Sequence, residues 1–468
     1  MLKPLSLMIA VLLLGGCTVG PDYVRPDSAL PQQFDQASAE AAAITPPSQL
    51  WASFQDPELD RLIARAMIAN NSVKQAFARL EETRALSGLS PYSLFPTVTA
   101  DADGERSKPS GDDPFIPSDQ GRTDSYQAGF DAIWEIDLFG SLRNQNKAIK
   151  ARVQADAAEL AQVRLSIVAE TAQAYFSWRG ALARRALAER NFDALAESVQ
   201  LIETLERAGR SDALAVARIG AQRSAQAARV AQLEAEVVRH EQRLSVLTAQ
   251  PLATLRADLT IDRPLPSLPE LVAVGSPQDW LQRRPDVAAA ERRLAAAFAD
   301  VGTQTAEYFP KLTLLGGFGW TAQSFGDLGN GNAERWRWGP SLSWSFLDFG
   351  RVRQQVRAAD ARADGVAAAF EETVLRALEE VENALAGYRA SNRAAVELDA
   401  AAKQAGESAR LAKLRFEVGA DDALSMLDAE RTRIDFESQA LDAQVARATA
   451  PCSALQGTGR DFAASKPE

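Results

Sequence analysis

Histidine occurs once in 468 residues, cysteine twice and methionine four times. Each scarcity removes a class of chemistry. The single histidine, His240, stands among Arg239, Glu241, Gln242 and Arg243 in a helix-favouring tract, where it reads as a surface residue. No His-dependent triad and no His metal site can be built around it. Cys17 and Cys452 lie near opposite ends, so no internal disulfide framework exists, and Cys452 reads as a small buried filler. Met67 and Met426 are the only methionines beyond residue 17, which leaves no methionine relay for soft metals. Gly-x-Ser-x-Gly, phosphate-loop and paired Cys-x-x-Cys motifs are missing, and the carboxylates are spread over helical faces. No enzyme, cofactor or metal centre is expected. Basic runs are missing too. Net charge is −11, which argues against a nucleic-acid partner. Beyond residue 17 there is no uncharged apolar run of about 18 residues, so no transmembrane helix is expected.

What is present begins with an export signal. Lys3 supplies a positive start, Leu5 to Leu14 a short apolar core, and Leu14-Gly15-Gly16-Cys17 the small residues of a lipoprotein cleavage site. Cys17 is therefore expected to become the lipidated first residue of the mature chain, with Thr18 behind it. An ordinary cleaved signal followed by a chance cysteine is the alternative. Residues 18–55 are rich in proline, including Pro21, Pro26, Pro31, Pro46 and Pro47, and read as an extended segment.

The rest is a duplication. Trp134-Glu135-Ile136-Asp137-Leu138-Phe139-Gly140 returns as Trp344-Ser345-Phe346-Leu347-Asp348-Phe349-Gly350, and Gly209, Asp212 and Leu214 return as Gly419, Asp422 and Leu424. The first repeat spans residues 56–250, a proline-rich connector 251–276, the second repeat 277–450 and a tail 451–468. Each repeat opens with a helix. The first runs from about Pro57 to Gly88, the second opens at Trp280, and Phe95-Pro96 and Phe309-Pro310 end them.

Alternating segments follow within 95–138 and 309–348. Val98, Ala100, Ala102 and Gly104 share a face, as do Tyr126, Phe130, Trp134 and Ile136 in the next strand. In the second repeat Leu312, Leu314, Phe318 and Trp320 share one face, and Trp336, Trp338, Leu342, Trp344 and Phe346 another. Four strands with one greasy, aromatic face and one polar face match the dyad pattern of transmembrane strands. A soluble sandwich is the alternative, but it needs a covering layer for these aromatics, and the sequence offers no further strands. Four strands cannot close a barrel, for which roughly eight are needed, so several chains must contribute.

From Leu142 to about Ala208, and from Val352 to about Val418, proline-free tracts of Ala, Glu, Arg, Leu and Gln predict helices on the order of 100 Å long. Val352, Val356, Ala359, Ala363, Val366 and Phe370 step by four and three, as in a coiled coil. Each long helix meets a Gly-containing turn and returns, through Ala213 to Leu247 and through Ala423 to Thr449.

These features resemble the outer membrane factor family, the TolC-like exit ducts, and within it the lipoprotein branch of resistance-nodulation-division efflux systems. Carrying the resemblance are Trp134 through Gly140, Leu281-Gln282-Arg283-Arg284-Pro285-Asp286, Phe309-Pro310, and Gly419 through Leu427-Asp428-Ala429-Glu430-Arg431. It implies a mixed, mainly α fold. A homotrimer would form a 12-stranded transmembrane β-barrel, four strands per chain, continuous with a long periplasmic α-helical barrel. The implied function is the outer membrane exit duct of a tripartite pump, passing drugs and toxic organics. Partners would be a periplasmic adaptor, an inner-membrane pump and outer membrane lipid, with no cofactor. Type I secretion, or a non-channel periplasmic coiled-coil adaptor lipoprotein, remains the alternative. The resemblance places the periplasmic gate at the helix tips: Leu424 as an apolar constriction, Asp421, Asp422, Asp428, Arg415 and Arg431 as ion pairs and acidic rings, Asp212 and Leu214 as first-repeat equivalents. Helix capping by these acids is the plainer alternative. Three departures from the family pattern stand out: Phe416 where tyrosine is usual, Pro451-Cys452 in the last helix, and Gly457-Thr458-Gly459-Arg460-Asp461-Phe462 in place of a glycine-rich segment ending in tryptophan.

Overall fold

The computed structural model describes residues 18–26, 31, 33–35, 55–108, 110, 121–259 and 276–454. Cys17 and the signal lie outside the described residues, as do most of the 18–55 and 251–276 segments, the tail from 455 and the side chain of Cys452. The elements in chain order are helices α1 (Pro57–Ala69) and α2 (Asn71–Leu89), then strands β1 (Thr97–Ser107) and β2 (Thr123–Ile136). Helices α3 (Ser141–Arg207), α4 (Ala213–Thr248), α5 (Leu252–Asp258), α6 (Pro277–Arg283) and α7 (Pro285–Ala306) follow. Strands β3 (Lys311–Ala322) and β4 (Glu334–Ser343) precede helices α8 (Phe349–Glu417) and α9 (Ala423–Ala454). The chain divides into two compact units, and each draws on both repeats.

One unit comprises Met1–Asp27, Arg79–Asp156 and Ala289–Glu371. Its centre is an antiparallel sheet in the order β1-β2-β3-β4. Two hairpins in sequence make this order, joined by the β2–β3 seam, with Ala128 opposite Trp320 and Phe130 opposite Phe318. Residues 18–23 are strapped to this unit. Val19 N donates to Phe139 O (3.1 Å), and Asn144 Nδ2 donates to Val19 O (3.0 Å). Gly20, at φ +114°, lies so close to Gly302 that a Cβ would sit 2.4 Å from the Gly302 Cα, so two glycines meet where no side chain fits. Tyr23 then donates its hydroxyl to Glu291 and packs edge-on against Phe298.

The other unit comprises Ser28–Ala78, Ala157–Ala288 and Glu372–Glu468 and is helical. The first helix of each repeat differs here from its sequence expectation, because both are broken. Asn70 adopts an extended conformation between α1 and α2. Its Oδ1 accepts from Ser72 N (2.8 Å) while its Nδ2 donates to Leu247 O (2.9 Å), so one side chain caps α2 and ties it to the end of α4. In the second repeat Arg284 separates α6 from α7, since the residue before Pro285 is driven out of the helical region. Arg284 is buried, forms ion pairs with Asp286 and Glu380 (both 2.6 Å) and lies over the Trp280 ring. The Leu-Gln-Arg-Arg-Pro-Asp segment is thus a structural anchor. A second buried polar group joins α1 to α3. The Tyr175 hydroxyl meets Asp56 (2.7 Å) and Glu58 (3.2 Å), and the Arg179 guanidinium donates to that hydroxyl (3.0 Å).

Candidate functional site

Two surfaces hold the residues singled out by sequence, one in each unit. On the sheet, register decides the outcome. Gly104, Tyr126, Ala322 and, one pair along, Ala128 and Trp320 share a face with Phe130, Phe318 and Trp336, and with Gly316 and Trp338. All aromatics of the strands therefore lie on one side. Phe130, Phe318, Trp336 and Trp338 are exposed there, Trp338 by 79%, while Tyr126 and Trp320 are half-buried. The opposite face carries Asp101, Asp103, Glu105, Gln127, Asp131, Arg335 and Arg337, with Arg337 and Asp131 paired at 2.9 Å.

At one end of the sheet Trp134 donates its indole N–H to Leu94 O (2.9 Å) and Trp344 donates to Tyr308 O (3.0 Å). Both acceptors directly precede a Phe-Pro pair. Trp344 and Phe346 were expected in the fourth strand, yet β4 ends at Ser343. Their counterparts Trp134 and Ile136 remain in β2 because β3 pairs with them, and β4 has no such second neighbour.

In the helical unit the two tips are built alike. Gly209 (φ +71°) and Gly419 (φ +73°) take the left-handed conformation that lets the chain reverse. Arg210 N donates to Leu205 O and Ala420 N to Arg415 O, both at 2.8 Å, which closes each C-terminus. Asp212 and Asp422 then cap α4 and α9. Their Oδ1 atoms accept from Ala215 N and Ser425 N, each at 2.8 Å. The Ser425 N–H holds the Asp422 carboxyl below the usual carboxylate range.

Arg415 pairs with Asp421 at 3.5 Å. Asp428 and Arg431 are exposed and form no ion pair among the described residues of one chain. Leu424 is half-buried and Leu214 is 50% exposed, while Phe416, Met426 and Leu427 sink into a cluster with Leu195, Ile202 and Ile219. Phe416 needs no hydroxyl in that setting. His240 is half-buried instead of lying on the surface. It is 3.7 Å from Glu236, and burial lowers its pKa. Among the described residues no group of three or more metal-ligating side chains occurs.

A family profile described as outer membrane efflux protein matches residues 62–250 and 276–453, one segment in each repeat. The chain belongs to the outer membrane efflux protein family. It is 32% identical to outer membrane protein OprJ of Pseudomonas aeruginosa over 463 residues, covering 97% of this chain and 95% of that one. It is 27% identical to the toluene efflux pump outer membrane protein TtgI of Pseudomonas putida, covering 98% of each. The solved structure of the outer-membrane channel OprN is similar at 37% identity with a TM-score of 0.86, covering 95% of this chain and 99% of that chain. As an outer membrane efflux protein, the chain works in the outer membrane as an efflux channel component.

Sequence reasoning missed three anchors in this efflux protein. The Asn70 break had a signal in Asn70-Asn71-Ser72, a cap-forming run inside a helical pattern. The strap from Val19 to Tyr23 and the group around Tyr175 had none, because their partners are more than a hundred residues away.

Proposed function

We propose that three copies of this chain form the exit duct of a tripartite efflux pump, passing apolar organic molecules and drugs passively out of the periplasm. The observation that carries this reading is the sheet: an aromatic face exposed to its surroundings and two unpaired edges, in a chain with no membrane-spanning helix among its described residues. Open edges cannot stand in hydrocarbon, so strands from several chains must close on one another. Three chains of four strands give a barrel of about twelve, large enough to hold an aqueous lumen. An acylated Cys17 anchors the chain to the outer membrane, and an adaptor and an inner-membrane pump supply cargo and energy. Its relative TtgI serves a toluene pump, which supports apolar organic cargo.

The gate lies at the helix tips, with Leu424 narrowing the passage and Asp421, Asp422, Asp428, Arg415 and Arg431 setting its electrostatics; Leu214 and Asp212 flank it. Discrete conductance steps are expected when the purified protein meets a planar bilayer. A water-soluble monomer that never conducts would overturn the reading. For the gate, Asp422→Asn keeps a good helix cap while removing the charge. Raised conductance at unchanged stability is expected; unchanged conductance reduces Asp422 to a cap.

A further inference from the structure

Helices α3, α7 and α8 enclose a cavity of about 320 Å³ in the unit that carries the sheet. Two contacts set its frame. A Cβ at Gly302 would stand 2.5 Å from Asn144 Nδ2, so α7 lies close against α3. Val301 and Ala297 of α7 pack with Ala359 and Ala363 of α8.

The duplication puts equivalent residues into this one cavity. Moving 210 positions along the chain takes Ile149 to Ala359 and Arg152 to Arg362, and all four line it. The acid that acts on both arginines is not duplicated. A step of 214 sets Leu80 on Leu294 and Gly88 on Gly302, and it sets Leu86 of α2 on Asp300 of α7. Only the second repeat therefore holds a carboxylate at this position.

One carboxylate faces two guanidiniums. Arg152 donates to Asp300 Oδ2. Arg362 acts on the same carboxyl through space and makes no hydrogen bond or ion pair of its own among the described residues. Asp300 compensates the two arginines incompletely, since burial pushes its pKa up although both guanidiniums pull it down. The three side chains leave one positive charge in a chain whose net charge is −11.

We infer that this cavity binds a small organic monocarboxylate, with the carboxylate taken by the Arg362 fork and the apolar body lying against Ile149, Ala297 and Ala359. A planar guanidinium matches a carboxylate through two parallel hydrogen bonds. A single negative charge balances the single positive one. The volume lies at the lower end of small-molecule sites, roughly 300–1,000 Å³, which suits a one-ring acid and exceeds what a lone inorganic ion fills. A bound carboxylate gives α8 the charged tie to α3 and α7 that Arg362 does not make itself. The site lies within one chain, so the inference goes beyond the duct reading and does not require it.

The test is calorimetric titration of the full chain in detergent at low salt, with benzoate as the probe. Benzamide carries the same ring without the charge, and inorganic phosphate carries charge without the ring. Benzoate should bind at one per chain, and both comparison probes should bind at least about tenfold more weakly. Arg362→Gln, at an exposed position, should weaken benzoate binding at least about tenfold through loss of the charge-assisted contact. Asp300→Asn removes the competing carboxylate and should tighten binding at least about threefold. Because that change also breaks the tie to Arg152, thermal unfolding is the second readout: benzoate should raise the midpoint more in Asp300→Asn than in the unmodified chain. Benzamide binding as well as benzoate would overturn the role of the charge, and phosphate binding as well as benzoate would overturn the organic acid. A folded chain that ignores benzoate, or binds it unchanged after Arg362→Gln, would overturn the site and leave Arg152 and Asp300 as a tie between helices.

Discussion

At the scale of single residues, Trp134 and Trp344 show how a membrane strand is fastened at its end. Each indole keeps its ring on the apolar side and gives its one polar atom to a carbonyl that Phe-Pro leaves free. Trp→Phe at either position should cost about 1 kcal/mol, equally in both repeats, read from denaturant unfolding of the detergent-solubilised protein. Arg284 is a larger investment. Arg284→Met leaves Glu380 and Asp286 without their cation, but both carboxylates reach water. The loss should fall below the about 3–5 kcal/mol of a fully buried pair, yet exceed that of a surface pair.

His240 gives a pH dependence with a definite sign. Burial lowers its folded pKa from the ordinary 6.5, so the folded state resists protonation. Stability from this residue is intact above that pH and declines as pH falls from 6.5 towards the folded value. His240→Gln should flatten the fall in thermal midpoint between about pH 7.5 and 5.5. A slope unchanged by the substitution would show that other groups govern it.

At the scale of elements, the long helices end because a glycine takes a conformation that other residues resist. Gly419→Ala should destabilise the tip by about 1–2 kcal/mol, since φ +73° brings a Cβ against the following carbonyl. Faster amide exchange around residues 415–425 would report it. The strands, the long helices and both tip turns were legible from alternation, proline-free runs and the duplicated Gly-x-x-Asp spacing. Helix breaks at Asn70 and Arg284 were harder to see. Hydrophobic periodicity continues across both, and what makes them breaks is a capping side chain and a proline acting one residue upstream. Asp212 and Asp422 show the reverse limit. Their positions at helix starts were readable, but whether a carboxylate only caps or also sets the field of a passage depends on what three chains bring together.

At the scale of the whole molecule, an open four-stranded sheet is an incomplete object. Its exposed aromatics favour an apolar surrounding, and its unpaired edges forbid it to enter a bilayer alone. Assembly and insertion are therefore coupled, and disrupting the β4 edge should reduce both. Leu342→Pro, which sits one pair inside the end of β4, should lower the yield of conducting oligomer by at least about tenfold in bilayer recordings, while far-UV helicity is retained. Normal conductance from this variant would remove the edge from the assembly. Cys17→Ser tests the anchor separately: loss of incorporated palmitate is expected, with the sheet intact.

By itself, the amino-acid sequence determined the duplication, the four alternating strands, the long helices and the tip turns, because each is written in patterns that repeat within a few residues. It also determined how scarce histidine, cysteine and methionine are. Only the tertiary structure decided that every strand aromatic shares one face, that residues 18–23 are clamped against Phe139, Asn144 and Gly302, and that β1 and β4 stay open on one side while their repeat equivalents β3 and β2 are paired on both. Those outcomes depend on register and on partners far away in the chain. Local periodicity carries no information about which of several compatible neighbours a strand or helix will meet; packing and hydrogen-bond satisfaction choose among them.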